Sequence, residues 1–441
     1  MHTQPDLKMP MFQYNQNRLF CENVSVLDIA DILGTPFYIY SRSQLISNYM
    51  EVEASFGDFP HLVCYAVKAN SNPHLLHILA DKGCGADVVS GGELVLALAC
   101  GIPPDRIVFA GVGKTDAEIR SAIENDILSI HAESFEELHM IDSIARQMGE
   151  IARTAIRVNP DIDARTHEYI TTGLEKNKFG IGMDRALDAF KLASSLPGLR
   201  VTGLHCHIGS MILDVDPFVQ AARSLRALSI QLKAAGIPLE SIDIGGGLGV
   251  DYHGIVDDGE DSDSARTNPP TAGDLMAAVL PVFSDLDIEV LFEPGRYLVA
   301  NAGALITKVI LTKKNSQKTF VVVDAGMNDF VRPTLYQAVH QIVPAEQKEV
   351  QSEIVDVVGP ICETGDFFAR DRRMPHSDRG DLLGIMGTGA YGVVLASNYN
   401  SRLRPPEVLV EGNTFRIIRE RESIDALWRG VPGPENFSNG H

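Results

Sequence analysis

Apolar and polar positions alternate regularly along the middle of the chain. From about residue 61, short apolar, β-branched runs end in Gly, Asn or polar residues, and a stretch with helical spacing of Leu, Ile and Ala follows each run. The strand-like runs are HLVCYAVKAN from His61, GADVVS from Gly85, RIVFAG from Arg106, ILSIHA from Ile127, TAIRVNP from Thr154, GLHCHIG from Gly203, SIDIGGG from Ser241 and VLFEPGR from Val290. Eight strand–helix units predict an α/β fold, a closed (β/α)8 TIM barrel. A doubly wound sheet is the alternative, and eight units in series favour closure.

The pattern changes after about residue 300. Strand-like runs then follow one another with few helical stretches between them: GALITKVILTKK, TFVVVDAG, QSEIVDVVGP, RGDLLGIMG and EVLVEGNTFRIIRER. This succession of strand-like runs predicts a mainly β carboxy-terminal, barrel-like domain. The predicted division is therefore a barrel over 36–300 and a β domain built from 1–35 and 301–441. The acidic, turn-rich stretch 253–270 is expected to be a solvated surface insertion.

Composition narrows the class of protein. The 441 residues are 45% hydrophobic and 22% charged, which is typical of a folded soluble protein. No run approaches the roughly 18 apolar residues of a membrane span, and the amino terminus lacks a signal-peptide pattern, so a cytoplasmic location is expected. The formal charge of −20 argues against nucleic acid and anionic membranes as partners.

The six cysteines do not suggest a metal cluster. They lie at Cys21, Cys64, Cys84, Cys100, Cys206 and Cys362, and none forms a CxxC pair. Scattered thiols in a cytosolic enzyme are usually reduced and structural. We therefore predict no zinc site from the cysteines.

Chemically useful residues concentrate at the predicted strand ends. In a barrel of this kind the active site lies at the carboxyl ends of the strands. Those ends carry Lys68, Asp87, Ser90, Asn159, His207, Ser210, Gly245, Gly246, Gly247, Glu293 and Arg296. A lysine in an apolar context, a glycine-rich loop, a histidine, a glutamate and an arginine together suit a phosphate-bearing aldehyde cofactor held as a Schiff base.

Each of these residues, considered alone, is weaker evidence for a cofactor site. A lysine such as Lys68 at a strand end is usually just solvated. His205 and His207 share a face of their strand and could bind a metal ion, but no third ligand is marked. A ring stacked on a flat cofactor or a core histidine is favoured instead. The GGGLG loop at 245–249 could cradle phosphate with its backbone N–H groups or be a tight turn without a ligand.

Two further motifs, GVGKT and EPGR, each allow a ligand-binding interpretation and a simpler one. GVGKT at 111–115 resembles a nucleotide-binding loop, but the P-loop pattern needs a Gly at position 108, which is Val108, so this hypothesis is rejected. Glu293 in EPGR could hold a pyridine nitrogen in its protonated form, which makes the ring a strong electron sink, or be an ordinary salt-bridge partner.

The β domain adds a second group of motifs, RPTLY at 332–336, CETGD at 362–366 and GAYG at 389–392. Each lies in a Gly- or Pro-marked loop of an otherwise β region. Arg332 and Tyr336 could equally be surface residues, and Cys362 could be a buried structural thiol.

Together the motifs YAVKAN, HCHIGS, DIGGGLG, EPGR, RPTLY, CETGD and GAYG resemble those of the diaminopimelate decarboxylases, in the alanine-racemase-like (fold type III) group of pyridoxal-phosphate enzymes. The match runs in order from about residue 35 to 420. Single motifs recur in ornithine and arginine decarboxylases, and RPTLY with Cys-Glu is the more specific part. Met211 departs from the pattern, since a Gln usually follows HIGS.

The resemblance implies a function and a role for each residue. The implied reaction is decarboxylation of meso-2,6-diaminopimelate to L-lysine and CO2, the last step of lysine biosynthesis, with pyridoxal 5'-phosphate as cofactor. Lys68 would hold the cofactor and Cys362 would donate the proton. The implied cofactor-binding residues are Lys68, His207, Ser210, Gly245, Gly246, Gly247, Glu293, Gly295, Arg296 and Tyr391. The implied substrate-binding residues are Arg296, Arg332, Tyr336, Glu363 and Tyr391.

The family also implies a head-to-tail homodimer in which Cys362 and Glu363 reach the partner's barrel. The charges suit this substrate, because its distal end carries an ammonium and a carboxylate group, which Glu363 and Arg332 complement. The alternatives are a decarboxylase of ornithine, arginine or a carboxylated polyamine, a non-catalytic cofactor-binding homologue, and an amino-acid racemase, which would need a tyrosine base.

Overall fold

The computed structural model describes residues 11–163, 178–257 and 268–431. The central part of the predicted acidic insertion, 258–267, lies outside the described residues, as do residues 1–10 of the predicted amino-terminal segment. The strands, in chain order, are β1 (Phe12–Asn15), β2 (Arg18–Cys21), β3 (Val24–Ser25), β4 (Phe37–Ser41), β5 (His61–Ala66), β6 (Gly85–Val88), β7 (Ile107–Phe109), β8 (Ser129–Ala132), β9 (Ala152–Asn159), β10 (Ile181–Gly182), β11 (Leu199–His205), β12 (Ser241–Asp243), β13 (Glu289–Phe292), β14 (Gly303–Lys314), β15 (Thr319–Val323), β16 (Ile342–Pro344), β17 (Ser352–Val358), β18 (Phe367–Pro375), β19 (Leu382–Met386), β20 (Glu407–Glu411) and β21 (Thr414–Arg419).

The α-helices alternate with the strands over the first two thirds of the chain and become sparse afterwards. They are α1 (Val26–Leu33), α2 (Arg42–Ser55), α3 (Pro73–Ala80), α4 (Gly91–Ala99), α5 (Asp116–Glu124), α6 (Phe135–Met148), α7 (Met183–Ser195), α8 (Asp216–Ala234), α9 (Ala272–Phe283), α10 (Arg296–Val299) and α11 (Arg332–Tyr336). None of them within the described ranges is long and apolar enough to cross a membrane.

Eight parallel strands close into a barrel, in the order β5, β6, β7, β8, β9, β11, β12, β13, with β13 pairing back to β5. The predicted fold class is therefore confirmed, and the eight predicted runs correspond to these eight strands. Strands such as β5 are almost wholly apolar because both faces of a barrel strand are covered. Leu62, Cys64, Val108 and Leu291 pack together in the core.

Most observed barrel strands end earlier than the predicted runs. β5 stops at Ala66 and a single 3-10 turn, Val67–Ala69, follows it, while β12 stops at Asp243, before the glycine loop. The polar and glycine residues that closed each predicted run lie in the loops at the barrel mouth, and these loops carry the candidate chemistry.

Side-chain caps fix where several helices begin after the strands. Ser134 accepts a hydrogen bond from the backbone N–H of Glu137 at the start of α6, and Asn72 does the same for His74 at the start of α3. Thr115 and Glu118 form a reciprocal capping box at α5. Because each cap satisfies backbone N–H groups that would otherwise lack partners, it holds the loop before the helix in one conformation.

The second unit is mainly β, as predicted. Its larger sheet runs in the order β18, β17, β15, β14, β4, β20, β21, and β19 pairs with β14 and β16. β1, β2 and β3 form a small antiparallel sheet of their own. Strand β4 lies in the larger sheet, where it pairs in parallel with β20.

Two compact units divide the described chain, and neither is continuous in sequence. The first contains Arg42–Gly303 and Gly387–Val394, and the second contains Phe12–Ser41, Ala304–Met386 and the residues from Leu395 onward. The sequence-based boundaries at 36 and 300 stay a prediction.

The lysine of GVGKT has an internal role in the barrel unit. Lys114 is buried, and its Nζ donates hydrogen bonds to the carbonyl oxygens of Gly111 (2.7 Å) and His131 (2.6 Å) and to Glu137 Oε1 (3.0 Å). These contacts fasten the loop after β7 to the end of β8. They satisfy the buried ammonium group, which would otherwise be costly.

We expect Lys114→Met to lower the free energy of unfolding by about 3 kcal/mol, because it leaves the Glu137 carboxylate buried without its cation. Urea denaturation of the purified protein measures the change. Lys82→Met is the matched control, since Lys82 is exposed, and it should change stability by less than about 0.5 kcal/mol. Equal effects of the two substitutions would contradict a structural role for the Lys114 contacts.

Candidate active site

Lys68 lies in the 3-10 turn that follows β5, beside the end of β6. Its Nζ lies 2.7 Å from Oδ2 of Asp87, which is completely buried. Burial alone favours the neutral amine, but the carboxylates of Asp87 and Glu293 outweigh it and raise the pKa of Lys68. Burial, and then Glu293, raises the pKa of Asp87 to about 6, against the opposing effect of Lys68. Lys68 is thus a positioned cation at the barrel mouth.

Glu293 follows β13 and points a buried carboxylate into the same region. Its Oε2 lies 3.4 Å from His205 Nε2, and its Oε1 lies 4.0 Å from His131 Nδ1. Among the described residues, no hydrogen bond reaches Oε1. A buried acceptor without a donor is costly, so this oxygen is suited to a donor supplied by a ligand.

His205 and His207 have separate environments, because β11 ends at His205 and His207 lies in the loop that follows. His205 is buried against His131, with ring centroids 4.5 Å apart. His207 Nδ1 accepts a hydrogen bond from the N–H of Gly246 at 3.1 Å. Burial, with a further contribution from Lys68, lowers the pKa of His207. The imidazole is therefore neutral, with its proton on Nε2.

The glycine-rich loop after β12 requires glycine for two different reasons. A Cβ atom on Gly246 would lie 2.1 Å from the carbonyl oxygen of Glu293, and one on Gly247 would lie 2.2 Å from that of Gly209. Gly247 also has a φ of +110°, which L side chains rarely adopt. The loop, including Gly245, therefore packs closely against its neighbouring strand ends.

Arg296 gathers polar side chains beside this loop. Its Nη2 donates to Ser210 Oγ at 2.9 Å, and its Nη1 donates to Tyr252 Oη at 2.8 Å. The guanidinium group lies over the Tyr391 ring, 4.8 Å from the centroid. The backbone N–H of Tyr391 donates to the carbonyl oxygen of Ala69, next to Lys68. A cation and a hydroxyl group beside the glycine loop form a suitable site for a phosphate group.

Gly295 allows the end of β13 to approach the Lys68 turn. A Cβ atom at this position would lie 3.0 Å from the Cβ atoms of both Ala66 and Ala69. Any larger residue would push the EPGR loop away from the lysine turn.

In the second unit, Arg332 is held by a buried histidine. Arg332 Nη1 lies 2.8 Å from His340 Nε2, and His340 Nδ1 lies 2.8 Å from the carbonyl oxygen of Met386. This pattern assigns the proton to Nδ1, so Nε2 accepts from the guanidinium group. Tyr336 ends the same short helix and is partly exposed.

The CETGD loop is fixed by its backbone, while Cys362 and Glu363 are exposed in the single chain. Asn400 Oδ1 accepts from the backbone N–H of Cys362 at 2.9 Å, and Tyr399 Oη donates to Glu363 Oε2 at 3.1 Å. Thr334 Oγ1 donates to the carbonyl oxygen of Gly365, linking this loop to α11. The exposed thiol was not the buried structural cysteine considered as an alternative; the other five cysteines are buried, and all six are free thiols.

Several residues of these clusters have no role in the sequence motifs. Among them are Arg157, Tyr252, Tyr399 and Asn400, whereas the sequence left the supporting role of His131 open. His131 and Arg157 lie inside barrel strands, and Arg157 pairs with the buried Glu133 at 2.9 Å. A charged or imidazole side chain within an otherwise apolar run was the available signal, because such a group is buried only with a partner.

The chain is similar over most of its length to known decarboxylases. Residues 42–300 match the family model described as pyridoxal-dependent decarboxylase, pyridoxal binding domain. The diaminopimelate decarboxylase of Aquifex aeolicus is 45% identical over 95% of this chain and 96% of its own length, and that of Vibrio cholerae is 44% identical over 95% and 98%. The chain belongs to the diaminopimelate decarboxylase family. The family predicted from the sequence motifs is confirmed.

A solved structure of this family has the same fold. The diaminopimelate decarboxylase of Helicobacter pylori complexed with L-lysine superposes with a TM-score of 0.86 at 42% identity, over 91% of this chain and 98% of that chain. The match includes residues of both compact units of this chain.

The residues present fit the pyridoxal cofactor that characterises the diaminopimelate decarboxylase family. The buried Oε1 of Glu293 has no donor among the described residues, as a partner of a protonated ring nitrogen requires. A side chain on Gly246 or Gly247 would collide with the surrounding backbone, and Gly247 packs against Gly209, next to Ser210, whose hydroxyl group accepts from Arg296.

We expect Gly246→Ala to lower the free energy of unfolding by about 1–3 kcal/mol, because the new methyl group has no space beside Glu293. The purified variant should also retain less cofactor, which the absorbance spectrum after dialysis measures. Gly273→Ala is the control, since the nearest atom to its added Cβ lies 3.5 Å away in the first turn of α9. Wild-type stability in Gly246→Ala would refute the predicted clash.

Proposed function

We propose that the protein removes the carboxylate at the D centre of meso-diaminopimelate as CO2 and releases L-lysine, using pyridoxal 5'-phosphate. The observation that carries this proposal is the placement of Lys68, the donor-free oxygen of Glu293 and the Ser210–Arg296 pair at the carboxyl ends of one barrel. A nitrogen nucleophile, a partner for a ring nitrogen and a phosphate site are the three groups that such a cofactor needs.

The barrel residues hold and orient the cofactor in this proposal. Lys68 would form the covalent link, and Glu293 would accept a hydrogen bond from the ring nitrogen. His207, neutral and fixed by Gly246, would pack on the ring. Ser210, Tyr391 and the Gly245–Gly247 loop would bind the phosphate group, with Gly295 keeping the EPGR loop close, and Arg296 would contribute to binding both the phosphate and the substrate carboxylate. When bound, the cofactor supplies an electron sink for the electron pair left by the departing carboxylate.

The second unit supplies the residues that select the substrate and return the proton. Arg332 binds the distal carboxylate of diaminopimelate, and Glu363 binds the distal ammonium group. Tyr336 and Tyr391 are further substrate-binding residues. His340 supports this role of Arg332 by fixing the guanidinium plane, which favours a two-point contact with a carboxylate. Cys362 gives its thiol proton to the carbon atom that lost CO2, as a general acid.

We further propose a head-to-tail homodimer in which Cys362 and Glu363 serve the barrel of the partner copy. Their exposure in the single chain supports this arrangement, because a proton donor must be excluded from water during the reaction. The backbone contacts of Asn400 and the hydroxyl of Tyr399 would present both side chains in a fixed orientation to the partner.

The proposed substrate is tested by incubating the purified protein and pyridoxal 5'-phosphate with meso-diaminopimelate. Equimolar lysine and CO2 are expected, and Lys68→Ala should abolish both, because no other amine replaces the covalent link. The variant should also lack the visible absorbance band that the lysine-bound cofactor gives. An intact band would refute the assignment of Lys68. Turnover of ornithine, arginine or a carboxylated polyamine in preference to diaminopimelate would favour the alternative decarboxylases.

We expect Cys362→Ala to lower kcat by about 10²–10⁴-fold while cofactor binding stays at the wild-type level, since the thiol acts only as a proton donor. Cys100→Ala, which removes a buried thiol at the end of α4, is the control and should keep its kcat. Steady-state kinetics and the visible spectrum measure the two effects. A spectrum altered as strongly as kcat would point to a cofactor-binding role instead.

The shared active site is tested with the same variants. If each site combines Lys68 of one copy with Cys362 of the other, an equal mixture of Lys68→Ala and Cys362→Ala chains should recover about a quarter of the wild-type activity, because half of randomly formed dimers are mixed and each has one intact site. No recovery after confirmed subunit exchange would contradict shared sites.

A further inference from the structure

A buried carboxyl group beside Glu293 is not used by the proposed mechanism. Asp243 ends β12 and is 2% exposed, and its Oδ1 accepts a hydrogen bond from the backbone N–H of Gly245 at 2.8 Å. Among the described residues, no donor reaches its other oxygen, Oδ2. The side chain therefore has one satisfied oxygen and one unsatisfied oxygen in the barrel interior.

Asp243 and Glu293 lie close together, and both are buried. One ligand-capable atom from each of Asp243, Glu293, His131 and His205 lies within 4.8 Å of the other three. Glu293 Oε1 also lacks a donor. Two ionised carboxylates at this distance, each with an unsatisfied oxygen, would repel one another strongly in a buried site.

The nearby cations are already paired with other carboxylates. Lys68 pairs with Asp87, Arg157 with Glu133 and Lys114 with Glu137, at 2.7, 2.9 and 3.0 Å. The two histidines do not supply a charge, because burial lowers the pKa of both His131 and His205. No cation of this group is therefore left to balance the charges that Asp243 and Glu293 would both carry as carboxylates.

We propose that Asp243 is a neutral carboxylic acid whose Oδ2 hydroxyl donates a hydrogen bond to Glu293, and that this bond keeps Glu293 ionised and aimed at the cofactor's ring nitrogen. The inference rests on the proposed function only for the identity of that ring. One proton gives Asp243 Oδ2 a partner and removes the repulsion between the two carboxylates. The two oxygens of Glu293 offer about four acceptor sites, so this bond leaves Oε1 able to accept from the ring nitrogen as well. A hydrogen bond donated to a carboxylate favours its charged form against the cost of burial.

The surroundings of Asp243 support its neutral form. Burial raises the pKa of Asp243 well above its usual value, and the neighbouring carboxyl groups of Glu293 and Asp87 raise it further, while the N–H of Gly245 opposes them. The thiols of Cys64 and Cys206 also lie in its field, and they are neutral because burial raises the pKa of each. Asp243 is therefore a positioning residue that acts through Glu293.

A metal ion is a poorer explanation of the same four side chains. Zinc bonds of about 2.0–2.2 Å hold tetrahedral ligand atoms roughly 3.4 Å apart, whereas these atoms are spread over up to 4.8 Å. An ion would also take the carboxylate of Glu293 away from the ring nitrogen.

The proposal is tested by comparing Asp243→Asn with Asp243→Ala. Asn keeps an acceptor for Gly245 and offers an N–H donor to Glu293, so it copies the neutral acid, whereas Ala donates nothing. We expect Asp243→Asn to bind pyridoxal 5'-phosphate within about threefold of wild type and Asp243→Ala to bind it about 10- to 100-fold more weakly. Equal weakening in both variants would overturn the proposal.

Infrared difference spectroscopy of the holoenzyme at pH 7.5 observes the proton directly. The wild-type spectrum should contain the C=O stretch of a protonated carboxylic acid that Asp243→Asn removes and Asp287→Asn, at an exposed position, retains. A wild-type protein without this band, or a band that Glu293→Gln removes and Asp243→Asn leaves, would overturn the proposal. This measurement does not require turnover, so failure to form lysine would refute the proposed function and leave the proton assignment standing.

Discussion

The pairing of β13 with β5 is the contact on which the candidate active site depends. Val290, Leu291 and Phe292 are in register with His61, Leu62 and Val63, and this short parallel ladder closes the barrel. Lys68 and Glu293 follow these two strands, so closure brings together residues from opposite ends of the barrel sequence. Because such a long loop is closed at an entropic cost, the apolar burial along both strands has to compensate for it.

Closure of the barrel also brings ionisable side chains together at the barrel mouth, where their buried charges have to be balanced. Parallel strands all direct their carboxyl ends toward one region, and several of these ends carry ionisable groups that are removed from water. The cations Lys68, Arg157 and Lys114 each contact a carboxylate, and the histidines stay neutral. Within the described part of the chain, unsatisfied buried atoms of Asp243, Glu293, His131 and His205 lie close together in this region, where a ligand's ring nitrogen is expected.

The sequence was most informative where local chemistry and tertiary structure agree. The eight apolar runs correspond to the eight barrel strands because a strand covered on both faces has few polar residues. Strand β18 was missed, since its run FFARDRRMP contains four consecutive charged residues, which edge strands tolerate. Strand β10 has only two residues and no pattern to detect.

The sequence was similarly limited in predicting the residues of the active site. The rule that chemistry lies at strand ends selected Lys68, His207, Ser210, Arg296 and Glu293, because it depends only on the order of elements. It gave no role to Asp243 and left that of His131 open, because the importance of both residues comes from neighbours that are distant in sequence. A single chain's residue pattern carries no information on which buried groups meet across a barrel.

The segment Gly387–Val394 has a consequence for how this chain can be divided or inherited. It belongs to the barrel unit although the residues on both sides of it belong to the β unit, and it carries Tyr391, whose backbone contacts Ala69 beside the reactive lysine. A gene fragment ending near residue 300 would encode all eight barrel strands and still lack this part of the barrel unit. Recombination that exchanged the two units as contiguous segments would separate Gly387–Val394 from the rest of the barrel unit. The two units can therefore be inherited intact only together.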